Sequence, residues 1–165
     1  MMVEMERAQQ NVGGAATAWV GHLVLVLRVV LGAIFLVAGA SKIGHAAFFA
    51  AQIAGFRILP SAVIAPLALV LPFLEVLLGA YLVVGLFTRA SAWVAAALFL
   101  LFDLAIASAV VRGMAVNCGC FGPSDTTVTT WAEVARDAVF VVLAIVVALR
   151  APGTLALDRR IGNES

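Results

Sequence analysis

Residues 61–87 read SAVIAPLALVLPFLEVLLGAYLVVGLF, an apolar run whose single ionisable residue is Glu75. About 20 apolar residues suffice to cross the hydrocarbon core of a bilayer as a helix. Inside lipid a helix satisfies its own backbone polar groups, so such a run reads as a membrane span. Pro66 and Pro72 predict kinks that neighbouring helices must accommodate. Outward from this stretch the pattern repeats. Trp19–Ile43 is broken only by His22, Arg28 and small residues, with Lys42 placed to snorkel at its far end. Gly32, Ala33, Gly39 and Ala40 offer small faces for close packing. Ala90–Val111 carries Asp103 inside it and reads as ending at Arg112-Gly113, a cation followed by a glycine cap. Thr130–Leu149 opens on a capping-box pattern, Thr130 to Glu133, with Arg136 and Asp137 near its start. Only Thr88-Arg89 separates the second and third spans, so these are antiparallel neighbours.

Composition supports one integral membrane domain. The chain is 64% hydrophobic and 12% charged, against about a half and a quarter for soluble domains. A net charge of +1 is silent on nucleic acid, and no basic cluster suggests a nucleic-acid partner. Two cysteines exclude a disulfide-stapled framework. Residues 1–18 are expected as a flexible N-terminal tail and residues 151–165 as the C-terminal tail. Glu4, Glu6 and Arg7 make the start a poor signal peptide. Between the first two spans, Phe49, Ile53 and Phe56 fall at helical spacing, with Gln52 and Arg57 elsewhere, which predicts a short interfacial helix. His45 reads as a polar residue at the water boundary.

Both cysteines lie in Asn117-Cys118-Gly119-Cys120-Phe121-Gly122-Pro123. In a helix, residues i and i+2 point apart. In a bent loop they can meet, and Gly119 and Gly122-Pro123 favour such a loop. A disulfide across one residue closes a small ring near the limit of relaxed geometry and adds little to stability. Strained disulfides of this kind are labile and tend to be catalytic or regulatory. The plainer alternative is a pair of buried free thiols acting as small hydrophobes. A metal site is disfavoured, since His22 and His45 are the only other soft candidates.

Four spans put both termini on one side, with Arg7, Arg89, Arg150, Arg159 and Arg160. The excess of cations favours termini in the cytoplasm and an exofacial or periplasmic cysteine loop, where disulfides persist. Intramembrane charges are usually paired. At 1.5 Å per residue, Arg28 and Glu75 lie roughly 13 and 18 Å from the inner side, near enough for an ion pair. Asp103 falls within reach of Lys42 or Arg136. Such pairs fix helix register; alternatively, Asp103 under the loop exchanges protons during thiol chemistry.

The pattern Arg-x3-Gly-x6-Gly-x2-Lys from Arg28 to Lys42 resembles the DoxX-like membrane proteins, as do Leu74–Ala80 and Gly85–Arg89. The stretch from Asn117 to Gly122 is similar to the MauE branch, the methylamine utilisation membrane proteins. The resemblance implies an all-α, integral membrane four-helix bundle, broadly similar to vitamin K epoxide reductase architecture. It also implies that Cys118 and Cys120 form a redox pair, beside which Asn117, Gly119, Phe121, Gly122 and Asp103 read as supporting residues. One cysteine pair, rather than several, points to direct exchange with a thioredoxin-like partner, in maturation of a disulfide-rich enzyme such as methylamine dehydrogenase. The competing readings are a non-catalytic membrane scaffold that docks a redox enzyme, and a carrier of quinone or another small solute. The carrier would need a cavity lined by Arg28, Glu75 or Asp103. Beyond membrane lipid and a quinone as an open alternative, the residues name no cofactor.

Overall fold

The computed structural model describes residues 2–117, 128–151, 153 and 155–158, with side chains from residue 19 onward. Among these residues five helices follow in order: α1 (Met2–Lys42), α2 (Ala46–Gly55), α3 (Ser61–Val84), α4 (Thr88–Val111) and α5 (Trp131–Arg150). Helix α1 begins at Met2, where a frayed tail was expected. Its early residues are mostly good helix formers without proline, and extending an existing helix avoids the cost of nucleation.

Among the described residues, three helices are long and apolar enough to cross a membrane: Trp19–Lys42 within α1, α3 and α4. Each 24-residue span extends about 36 Å, more than the ~30 Å hydrocarbon core. Large apolar side chains such as Val26, Leu69 and Leu101 face outward, as lipid requires and water would not tolerate. Helix α5 differs because Glu133, Arg136 and Asp137 occupy its first two turns. From there to Leu149 it is apolar on both faces, with Val142 and Leu149 outside and Ala144, Val147 and Ala148 inside, and Arg150 ends it.

Helix α1 packs along α3, and α4 along α5. Shorter contacts join α1 to α5, α3 to α4 and α2 to α3. Phe99 on α4 sits between Phe35 of α1 and Phe140 of α5, with ring centroids 4.7 and 5.3 Å away. The α1–α3 contact is set by glycines. A Cβ on Gly39 would lie 2.6 Å from the Pro72 carbonyl oxygen, and one on Gly79 would lie 2.7 Å from that of Gly32. Backbones approach this closely only where at least one of the facing residues has no side chain. Ala33 and Ala40, expected to offer small faces for packing as well, are exposed instead.

The expected stops and starts are present at the ends of α4 and α5. Gly113 adopts φ +67° after α4, while its N–H donates to Val110 and that of Met114 to Ala109, a Schellman close. Thr130 caps α5, accepting from the Ala132 N–H at 3.2 Å. Glu133 returns a carboxylate oxygen to the Thr130 N–H at 3.0 Å.

Candidate functional site

The cysteine stretch is bracketed by a small antiparallel contact. Asn117 bridges Val128, and the Thr129 N–H donates to the Val116 carbonyl at 2.9 Å. The Thr129 hydroxyl donates to the Met114 carbonyl at 3.3 Å. The two ends of the loop are thereby held side by side above α4 and α5. Cys118, Gly119, Cys120, Phe121 and Gly122 lie outside the described residues. Asn117 is exposed and lines an open cleft of about 530 Å³ together with Gln52, Arg57 and Met114. Arg112 braces this end of the bundle. Its guanidinium donates to the Ser108 carbonyl at 3.0 Å and to the Phe56 carbonyl at 2.6 Å, tying α4 to the end of α2. His45 is exposed at the N-cap of α2, with no side-chain cap bond.

A polar layer lies inside the loop-side half of the bundle. Lys42 Nζ donates to both carboxylate oxygens of Glu75 at 2.9 Å. The two residues are only 4% and 1% exposed. The ammonium also lies 5.0 Å from the Phe49 ring centroid and 5.7 Å from that of Phe102, so aromatic faces replace the water it has lost. Two expectations are corrected here. Glu75 pairs with Lys42 and not with Arg28, and Lys42 is buried instead of reaching for solvent. The cause is the glycine-set register of α1 against α3. Gly32 lies against Gly79 and Val83, and Gly39 against Pro72 and Val76. That register carries Arg28 to Gly85, about 15 Å along α3 from Glu75.

Asp103 meets neither cation expected for it. Lys42 is taken by Glu75, and Arg136 is bonded to Asp137 at 2.9 Å. One Asp103 carboxylate oxygen is buried without a hydrogen-bond partner, and Asp137 across the α4–α5 contact is a like charge. Gln52, expected off the apolar face of α2, is buried beside Phe49, because residues three apart share a helix face. Both its amide oxygen and its amide nitrogen lack partners. Each buried unpaired polar group costs about 1–3 kcal/mol.

At the opposite end, Arg28 is 1% exposed and donates to the Leu155 carbonyl at 3.3 Å. The following residues turn back onto the bundle. The Asp158 N–H donates to the Gly85 carbonyl at 3.2 Å. Its carboxylate accepts from the Phe87 and Thr88 N–H groups, both at 2.8 Å. Phe87, at φ +48°, offers no side-chain cap of its own, so Asp158 serves as the N-cap of α4 from far along the chain. Burial alone would raise the Asp158 pKa. Hydrogen bonds from Thr88 and Phe87 and the Arg28 charge outweigh it, holding the group below its ordinary value. No local signal marks Asp158 in the sequence; only the fold brings it to Phe87.

Residues 20–150 match the family described as Methylamine utilisation protein MauE. The chain belongs to the MauE family. It is similar to a Methylamine utilization protein MauE of Paracoccus denitrificans, 35% identical over 130 residues, covering 78% of this chain and 70% of that one. The Paracoccus versutus protein of the same name is 37% identical over 120 residues, covering 72% and 64%. That of Methylophilus methylotrophus is 42% identical over 73 residues, covering 44% and 38%. This chain therefore spans about two thirds of the length of the two Paracoccus relatives. No solved structure matches it. Among the described residues, no cluster of three or more acidic, histidine or cysteine residues could hold a metal ion.

Proposed function

We propose that this MauE-family membrane protein acts in methylamine utilisation, as the names of its relatives state of them, and that Cys118 and Cys120 form its redox pair. The observation that carries this reading is the sequence Asn117-Cys118-Gly119-Cys120 lying between loop ends that are hydrogen-bonded to one another. In the reducing direction, a thiolate of the pair attacks the disulfide of a thioredoxin-like partner. A mixed disulfide forms and one partner thiolate leaves. The second cysteine then displaces the other partner sulfur and closes the Cys118–Cys120 bond. Two electrons pass to the partner, and the protons released by the pair end on the partner's thiols. The reverse sequence oxidises the partner. Asp103, with a buried oxygen lacking a hydrogen-bond partner in the helix leading to the loop, is proposed to take and return a proton.

In this reading α5 is the fourth span. Both termini then share the cytoplasmic side, and the cysteine loop faces outward, where disulfides persist. The 20 residues of α5 rise about 30 Å, enough to cross beside α4. Its three early charges lie at the loop-side boundary.

A redox titration read by an alkylating mass tag tests the pair. One reversible two-electron transition is expected, and Cys120→Ser should accumulate a mixed disulfide through Cys118. Full activity of both single serine variants in a complementing strain would instead make the chain a scaffold that docks a redox enzyme.

A further inference from the structure

We propose that the recess between α2, α3 and α4 binds a neutral, lipid-soluble molecule whose one polar end carries a carbonyl or hydroxyl oxygen, held by the Gln52 carboxamide. The recess has a volume of about 340 Å³. Its rim is exposed on the lipid-facing side, with Ile58 48% and Leu101 64% exposed. Its floor is buried, with Phe49, Leu71 and Ile106 all under 9% exposed. Gln52 is the polar residue of that lining, 9% exposed, with its donor and its acceptor both unpaired. A carboxamide with both groups free can donate to a carbonyl or accept from a hydroxyl.

The electrostatics select a neutral guest. The nearest buried cation, Lys42, lies behind Phe49 and Phe102 and is already bonded to both oxygens of Glu75. No ionised group lines the recess to meet a charged head. Gln52 also lines the open cleft beside Asn117, so it stands where the apolar recess meets the polar end of the bundle. A guest with its apolar body toward the rim and its oxygen at Gln52 matches both environments. Arg28, Glu75 and Asp103, expected to line any carrier cavity, line neither space. The proposal stands apart from the thiol reading.

Native mass spectrometry of the full chain released from detergent micelles tests it, using the Cys118→Ser/Cys120→Ser double variant so that thiol chemistry plays no part. The probes are a short-chain ubiquinone and a monoacylglycerol, with phosphatidylcholine as a zwitterionic comparison. Retention of either neutral probe over phosphatidylcholine is expected. Gln52→Leu should weaken it about tenfold or more, the scale of one buried hydrogen bond. Ala105→Phe, which fills the recess and leaves the amide intact, should abolish it. Retention of the quinone alone assigns a ring carbonyl, and of the monoacylglycerol alone an acyl lipid. Retention of both means that the site reads only the shared oxygen. Failure of both probes, equal retention of phosphatidylcholine, or undiminished binding by Gln52→Leu would overturn the proposal. If Gln52→Leu does not fold, undiminished binding by Ala105→Phe overturns it instead.

Discussion

Two buried cations of α1, Lys42 and Arg28, are treated in opposite ways. Lys42, in the loop-side half, is enclosed by the bundle and bonded to a carboxylate on the adjacent helix. Arg28, toward the termini, is covered by chain that follows α5, with the Leu155 carbonyl and the Asp158 charge near it. One end is held by a pair built into the helices, the other by a returning tail. An internal pair has no aqueous fallback when one partner is lost, whereas the tail can detach and let water reach Arg28. The two ends should therefore fail by different amounts.

The largest effect is expected from Glu75→Leu, which leaves Lys42 buried without its counter-charge. Breaking a buried pair by removing one partner costs about 3–5 kcal/mol. Thermal unfolding in detergent should show that loss, and the double variant Lys42→Met/Glu75→Leu should recover most of it, since paired apolar replacements are often neutral. A double variant as unstable as the single one would show that the pair is indispensable for some reason other than uncompensated charge.

Gly39→Ala comes next and tests the register that separates the two cations. The added methyl meets the Pro72 carbonyl, a backbone atom that cannot swing away. Overpacking of this kind costs about 1–3 kcal/mol. Because Gly39 sits near Lys42, the change should also weaken the Lys42–Glu75 contact. Ala40→Gly, on the exposed side of the same turn, should cost only the helix-propensity difference of about 1 kcal/mol. Equal losses at the two positions would argue against a glycine-set register.

How legible this was in the sequence depended on the range of each signal. The first three apolar spans, the Schellman close at Gly113 and the capping box at Thr130 are local patterns, and these appear in the fold. The partner of Glu75 was not legible. Two helices of similar length can slide by whole turns without changing composition, and depth counted from Trp19 places Arg28 too near the centre. What decides the register is which glycine meets which carbonyl, a property of two surfaces together. Gln52 was misplaced for a smaller reason: apolar spacing marked Phe49, Ile53 and Phe56, while helical geometry admits the position three after Phe49 to the same face. Asp158 was invisible, because its role depends on a chain reversal. The cysteine pair itself is a sequence signal whose residues lie outside those described.

Asp158→Ala probes the terminal end. It removes a charged acceptor from two N–H groups at the start of α4, worth about 1–2 kcal/mol on the scale of N-caps. The folded pKa of Asp158 is depressed, so its contribution is fully present above the unfolded value of about 3.9. It is lost as pH falls through the lower, folded value. The stability gap between wild type and Asp158→Ala should thus be constant near neutrality and shrink toward zero in acid. A gap that persists unchanged in acid would mean that packing of residues 155–158, rather than the carboxylate, secures this end.

The smallest effect should come from Thr130→Ala, and it refines the same contrast at the level of helix starts. Helix α4 takes its cap from a remote residue, whereas α5 takes its own from Thr130 and Glu133 within one turn. Losing the Thr130 hydroxyl removes an exposed bond, and water can replace it, so the cost should be about 0.5–1 kcal/mol. The loss should also be local. Amide exchange at Ala132 should speed up, while exchange at Phe87 and Thr88 stays as in the wild type. Asp158→Ala should do the reverse, because its bonds lie at the other end of the bundle. If either substitution loosened both helix starts together, the two ends would form one cooperative unit. Their different construction would then be a matter of chemistry alone and not of separate stability.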